Sequence, residues 1–150
     1  MCGPMQTARR NENGQASLVF VASLVIIMAA FALLVDGGRY LVMRNRARMM
    51  ADASALSGAG ILDLEKAHEG SFVLDNVLAR RRAEYIFGEN YRDKPEWANY
   101  QLQEVRVIGN EIWVTVTGTS TPLFGSNLGL NYSVTIVSSA RAASGISSER

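Results

Sequence analysis

The side chains able to do chemistry are few and scattered. His68 is the only histidine; it stands beside Glu65 and Glu69, a set that would need a second histidine or a cysteine to complete a metal site. Cys2 is the only cysteine, so the chain can build neither a disulfide framework nor a thiolate cluster. No serine lies in a nucleophile-elbow pattern and no Gly-rich phosphate loop is present. No catalytic residue, cofactor-binding residue or metal ligand is therefore expected, and an enzyme is not. Arg80, Arg81 and Arg82 invite a phosphate or lipid reading. Three successive helical positions fan over most of a turn and cannot converge on one ligand, so they predict a solvated face. Asn131-Tyr132-Ser133 fits the glycosylation triplet, a pattern too common to carry weight at the start of a strand.

One carboxylate stands apart. Asp36 ends an apolar run, where it costs desolvation unless water or a cation meets it. Two readings are open: an intersubunit or helix-register contact with Arg39 or Arg44 of a neighbour, or an ordinary interfacial carboxylate that is hydrated or pairs with Arg39.

The elements that must place these groups begin with that run. No charged residue occurs between Glu12 and Asp36, and Ala16 to Val35 at about 1.5 Å per residue covers roughly 30 Å, the thickness of a hydrocarbon core. A retained transmembrane helix is expected over 15–36. The rival, a cleaved secretory signal, calls for a shorter apolar stretch and a small-x-small site. Residues 1–14 predict a short disordered tail. Proline is absent from Arg39 to Gly60 and helix formers abound, so the helix is expected to extend outward over 37–62, weakened at Gly37-Gly38, where a bend can form. Arg44, Arg48 and Asp52 make a charged stripe. Ala51, Ala55 and Ala59 form a small-residue packing face, either for this chain's own sheet or for a neighbouring subunit.

A second helix is expected over Phe72 to Phe87, capped by Ser71, with Asp75 in its first turn and Gly88 past its end. Leu74, Val77, Leu78 and Tyr85 would be its apolar side. Period-two alternation then appears: Val105 and Val107, a Gly109-Asn110 turn, and Ile112, Val114 and Val116 read as a hairpin, with Tyr132, Val134 and Ile136 on a third strand. A lone hairpin is marginal in water, so three strands with one apolar face need a helix as cover. The expected architecture is α+β: a long N-terminal transmembrane helix running into a small three-stranded antiparallel sheet domain with one additional helix, the folded part covering 63–143 and a flexible tail 144–150. Charge is balanced, with 15 Lys+Arg against 14 Asp+Glu, which gives no basis for a nucleic-acid partner.

Three stretches together resemble the TadE/TadG-like family of tight-adherence (Flp) pilus assembly. They are Gly14-Gln15-Ala16-Ser17 opening the apolar run, Asp36-Gly37-Gly38-Arg39-Tyr40 closing it, and Ala51-Asp52-Ala53-Ser54-Ala55-Leu56-Ser57-Gly58-Ala59 after it. Leu123-Phe124, Leu128-Gly129-Leu130 and the strand running into Ala140-Arg141-Ala142 resemble the family more weakly. The resemblance implies a pilin-like accessory protein of the bacterial cytoplasmic (inner) membrane, single-pass, with its C-terminal domain extracytoplasmic, acting in assembly or secretion of Flp-type pili. Its partners would be the membrane and other Tad/Flp assembly proteins or pilin subunits. Asp36, Arg39, Ala51, Asp52, Ala55 and Ala59 would be the helix-packing and assembly residues. Some members of this group are cut after a glycine by a prepilin peptidase, and Gly14-Gln15 stands where such a cut would fall. Val19 replaces the usual pilin glutamate.

The orientation signals conflict. Arg9 and Arg10 precede the run while Arg39, Arg44, Arg46 and Arg48 follow it, so a bare count favours the C-terminal part inside; the resemblance implies the reverse. Two alternatives to the accessory role are a processed pseudopilin or minor pilin that enters a filament, and a membrane-tethered binding module for an envelope ligand. The last would need a concave polar site in the sheet domain.

Overall fold

The computed structural model describes residues 12–142. Residues 1–11 of the expected N-terminal tail, with Cys2, Arg9 and Arg10, and the expected tail 144–150 lie outside the described residues, while Glu12, Asn13 and Gly14, expected in the tail, are the first residues of α1. The chain divides into two units between Val35 and Asp36.

Helix α1 spans Glu12–Ala59. In the first unit every side chain from Gln15 to Phe31 is exposed, and α1 is the one helix among the described residues long and apolar enough to cross a membrane. A helix apolar on all sides and buried by nothing satisfies its backbone internally, which is what hydrocarbon demands.

The second unit joins the rest of α1 to three further elements of helix and a sheet. Helical structure runs through Gly37 and Gly38. The cost of about 1 kcal/mol per glycine is opposed on both sides, because Asp36, Arg39 and Tyr40 are each tied to the sheet end of the unit. Short α2 (Leu64–His68) is capped by Asp63, and α3 covers Asn76–Tyr91. The sheet is a meander in the order β1-β2-β3, with β1 Ala98–Ile108, β2 Glu111–Ser120 and β3 Tyr132–Arg141. All pairing is antiparallel, with one bulge between Leu102 and Glu104. The β1–β2 turn is Gly109-Asn110, as expected, and Gly109 has φ 63°, a left-handed conformation that costs glycine little. A 3-10 turn, η1 (Gly125–Leu128), interrupts the path from β2 to β3. The α+β architecture expected from the sequence is thus present, with one helix more than expected.

The core lies between α1 and one sheet face. Met43, Ala47, Ala51 and Ala55 of α1 are fully buried with Ile112, Val114 and Val116 of β2, the spacing of about four on the helix meeting the spacing of two on the strand. Tyr132, Val134 and Ile136 of β3 pack against this cluster from the side. Gly58 lets three elements meet: a Cβ there would stand 2.5 Å from Ile112 Cδ1 and 3.0 Å from the Ala79 carbonyl oxygen.

Two expectations for the second helix are corrected. Its cap is Asp75, whose carboxylate accepts the Val77 and Leu78 amide hydrogens at 3.0 Å, and it runs past Gly88. Ser71 cannot start it, because Leu74 is buried and bridges to Leu62 while Asp63 N–H donates to Val73 O at 2.9 Å. The buried side is also different. Ala79 and Ala83 face inward, whereas Val77, Leu78 and Tyr85 are exposed; the small residues allow the close approach that lets Arg80 Nη2 reach Val105 O at 2.8 Å.

Candidate functional site

The Asp36 side chain is 5% exposed, and neither a neighbour's arginine nor bulk water is needed to satisfy it. Oδ1 accepts the Leu123 amide hydrogen at 2.7 Å and Oδ2 that of Gly125 at 3.0 Å. The Phe124 amide is shared, 3.4 Å from Oδ1 and 3.2 Å from Oδ2. Three consecutive amides converge because Pro122 and Gly125 are buried against one another as η1 begins, and the first amides of a helical turn have no partner within it. Charge-assisted bonds to a carboxylate are about twice as strong as neutral ones.

Arg39, one turn further on, is not Asp36's ion partner among the described residues. Its guanidinium lies 5.4 Å from the Trp97 ring centre, an attraction of ring face for cation. Tyr40 meets Tyr132 edge-on, centroids 5.7 Å apart. Thr121 N–H donates to Trp97 O at 3.4 Å, which closes the loop onto the start of β1. Asp36, Arg39, Tyr40, Trp97, Tyr132 and the loop after β2 therefore form one end of the second unit.

Along α1, Asp52 Oδ1 accepts the Ser138 hydroxyl at 2.6 Å, and Arg48 Nε stands 3.7 Å from Asp52 Oδ2. Ala51 and Ala55 are fully buried and Ala59 is 8% exposed, so of the two readings of this small-residue face the packing partner is the chain's own sheet and α3. Arg46 Nη1 donates to Asp93 O. Among the large apolar residues of α1 after Asp36, Leu41, Val42, Met49 and Leu56 face outward. Gly14 and Gln15 lie near the start of α1.

The remaining chemistry-bearing groups are dispersed. His68 Nδ1–H donates to Leu64 O at 2.7 Å on the surface, and no group of three or more His, Cys, Asp or Glu among the described residues is placed to hold a metal. Arg80, Arg81 and Arg82 are all exposed, with Arg82 set against Tyr85 at 5.7 Å. The solvent side of the sheet carries a shallow depression lined by Glu104, Arg106, Trp113, Thr115 and Val137. There β1 brings a salt-bridged Glu104–Arg106 pair, 2.7 Å apart, beside Trp113 and Thr115 of β2, a juxtaposition that no local sequence pattern announces. Tyr100, 2% exposed, has no hydrogen-bond partner for its hydroxyl among the described residues, and burial pushes its phenol pKa up against the smaller opposing pull of Arg46.

The apolar run, the buried carboxylate ending it and the alanine face after it fall in one stretch, residues 14–60. That stretch matches the Tad family model, described as "Putative Flp pilus-assembly TadE/G-like". Residues 14–60 are similar to the TadE/G-like family. The TadE/G-like match takes in α1 from Gly14 onward, with Asp36, Arg39, Ala51, Asp52, Ala55 and Ala59, and stops before α3 and the sheet. No curated protein and no solved structure matches the chain. The TadE/G-like match supports a role in Flp pilus assembly and, in general terms, work alongside other pilus components.

Proposed function

We propose that this chain is a membrane-anchored, pilin-like accessory protein in the assembly or secretion of Flp-type pili. Residues 15–36 cross the cytoplasmic membrane once, 1–14 remain in the cytoplasm, and 37–143 form the extracytoplasmic part that contacts other Tad/Flp proteins or pilin subunits. The observation that carries this reading is the coincidence of the TadE/G-like match with an uncharged helical run whose side chains from Gln15 to Phe31 are all exposed. The arginines following the run also weigh less against this orientation than a bare count suggests. Arg39 is held on Trp97 and Arg46 on a backbone carbonyl of the folded unit, and a domain that folds as a block crosses largely regardless of its charge.

A second reading, a processed pseudopilin, is favoured by Gly14-Gln15 at the start of the matched stretch. The deciding experiment is gene deletion in the native host, with intact mass and N-terminal sequence of the membrane-extracted protein. An uncut chain, with surface pili lost on deletion and restored by the full gene, is the expected result. A chain beginning at Gln15 selects the pseudopilin. Normal piliation without the gene removes both.

A further inference from the structure

We infer that the loop between β2 and β3 is an interfacial lipid-docking site, seated in the headgroup layer and locked in shape by Asp36. The inference rests on the anchor reading above. Asp36 follows Val35 directly in the chain, so a segment hydrogen-bonded to its carboxylate lies within a side chain's reach of the point where the apolar run ends.

That segment is unusually apolar for a loop: Leu123 and Phe124 are each 51% exposed and Leu130 is 48% exposed. Exposed apolar residues grouped on one surface mark a partner or a membrane. What favours lipid is the backbone. An amide that enters the hydrocarbon boundary without a hydrogen-bond partner costs several kcal/mol, yet Leu123, Phe124 and Gly125 give their amide hydrogens to Asp36, and Leu130 gives its own to Gly125 O at 3.1 Å. The residues whose side chains face outward are those whose N–H groups are already satisfied inward. The surroundings suit a headgroup layer too. Trp97 under Arg39, and Tyr132 against Tyr40, sit at the same end, and Trp, Tyr and Arg are the side chains that anchor proteins at that depth. A protein partner would find the apolar tips equally attractive but could offer acceptors of its own to the amides, which hydrocarbon cannot.

The test uses the full chain, with Cys2→Ser as background, reconstituted in phosphatidylcholine–phosphatidylglycerol vesicles. Single cysteines at Phe124, Ile26 and Asn110 carry an environment-sensitive fluorophore, with Leu123→Cys as a second loop variant should Phe124→Cys fail to fold. Asn110 is in the turn closing the opposite ends of β1 and β2. The expected result is several-fold stronger quenching of the loop label by a shallow nitroxide lipid than by aqueous iodide, the reverse at Asn110, and quenching at Ile26 by a deep nitroxide. A loop label that behaves like Asn110 overturns the proposal while Ile26 upholds the anchor. A loop label shielded from both quenchers means protein covers the loop and likewise overturns it. An Ile26 label untouched by lipid overturns the anchor reading and the docking site together.

Discussion

Asp36 Oδ1 and the Leu123 amide are 2.7 Å apart, which fastens the last position of the apolar run's border to a loop far along the chain. An asparagine at 36 keeps one acceptor and turns an NH2 group toward the Phe124 and Gly125 donors that now meet Oδ2. Asp36→Asn is expected to destabilise the folded unit by roughly 2–4 kcal/mol, since bonds to charged acceptors are worth about 1.5–3 kcal/mol and the orphaned amides add their desolvation. Thermal unfolding by circular dichroism in detergent should show a Tm lower by about 10 °C or more; a Tm within a degree or two of wild type would mean the carboxylate contributes nothing to folding.

Glycine replacements in α1 should split by sign. At Gly37 and Gly38 an added Cβ meets nothing within 4 Å, so Gly→Ala should gain up to about 1 kcal/mol of helix propensity at each. At Gly58 the same methyl runs into Ile112 Cδ1 and the Ala79 carbonyl, and overpacking costs typically about 1–3 kcal/mol. Urea unfolding of the three single variants checks this, and a stabilised Gly58→Ala would mean α3 can back away from α1.

Tyr100→Phe removes a buried hydroxyl that lacks a partner among the described residues, so unfolding near neutral pH should be unchanged or slightly harder. The alkaline limb should differ more. The folded phenol's pKa is raised by burial, so the folded state holds its proton at pH values where the unfolded chain has lost it. The stability tied to the neutral phenol is whole below the ordinary tyrosine pKa of about 10 and falls as pH climbs above it. Wild type should therefore lose stability above about pH 10 more steeply than Tyr100→Phe in a pH series of thermal melts.

The Ser138 hydroxyl and Asp52 should show measurable coupling, whereas Arg48 and Asp52 should not. The first is a 2.6 Å bond between β3 and α1, worth about 1 kcal/mol at a half-exposed site. The second pairs side chains 74% and 48% exposed at 3.7 Å, a geometry that commonly contributes nothing detectable. Double-mutant cycles through alanine separate the two; equal coupling energies would contradict the assignment.

Much of the fold was legible because period and charge announce it. The uncharged run up to Val35 and the alternation of Ile112, Val114 and Val116 are local patterns, and each maps onto the element expected. Where two local signals competed, tertiary packing chose. Ser71 and Asp75 are both good caps, and the burial of Leu74 against the chain near Leu62 leaves only Asp75 free to start α3. Val77, Leu78 and Tyr85 have helical spacing, yet the close approach of α1 leaves room only for Ala79 and Ala83. Asp36 could be singled out from its place at the end of the run, but its partners could not be found: they are backbone amides, which every residue but proline possesses, so no side-chain type betrays them.

Because α1 supplies Met43, Ala47, Ala51 and Ala55 to the interior, the sheet has no stable life apart from that helix. A cut in α1 beyond Met43 releases a piece that lacks its own floor and unravels. A cut just after Asp36 spares that floor but removes the carboxylate that holds the Leu123, Phe124 and Gly125 amides, so the released piece keeps its core and loses the tie on its loop.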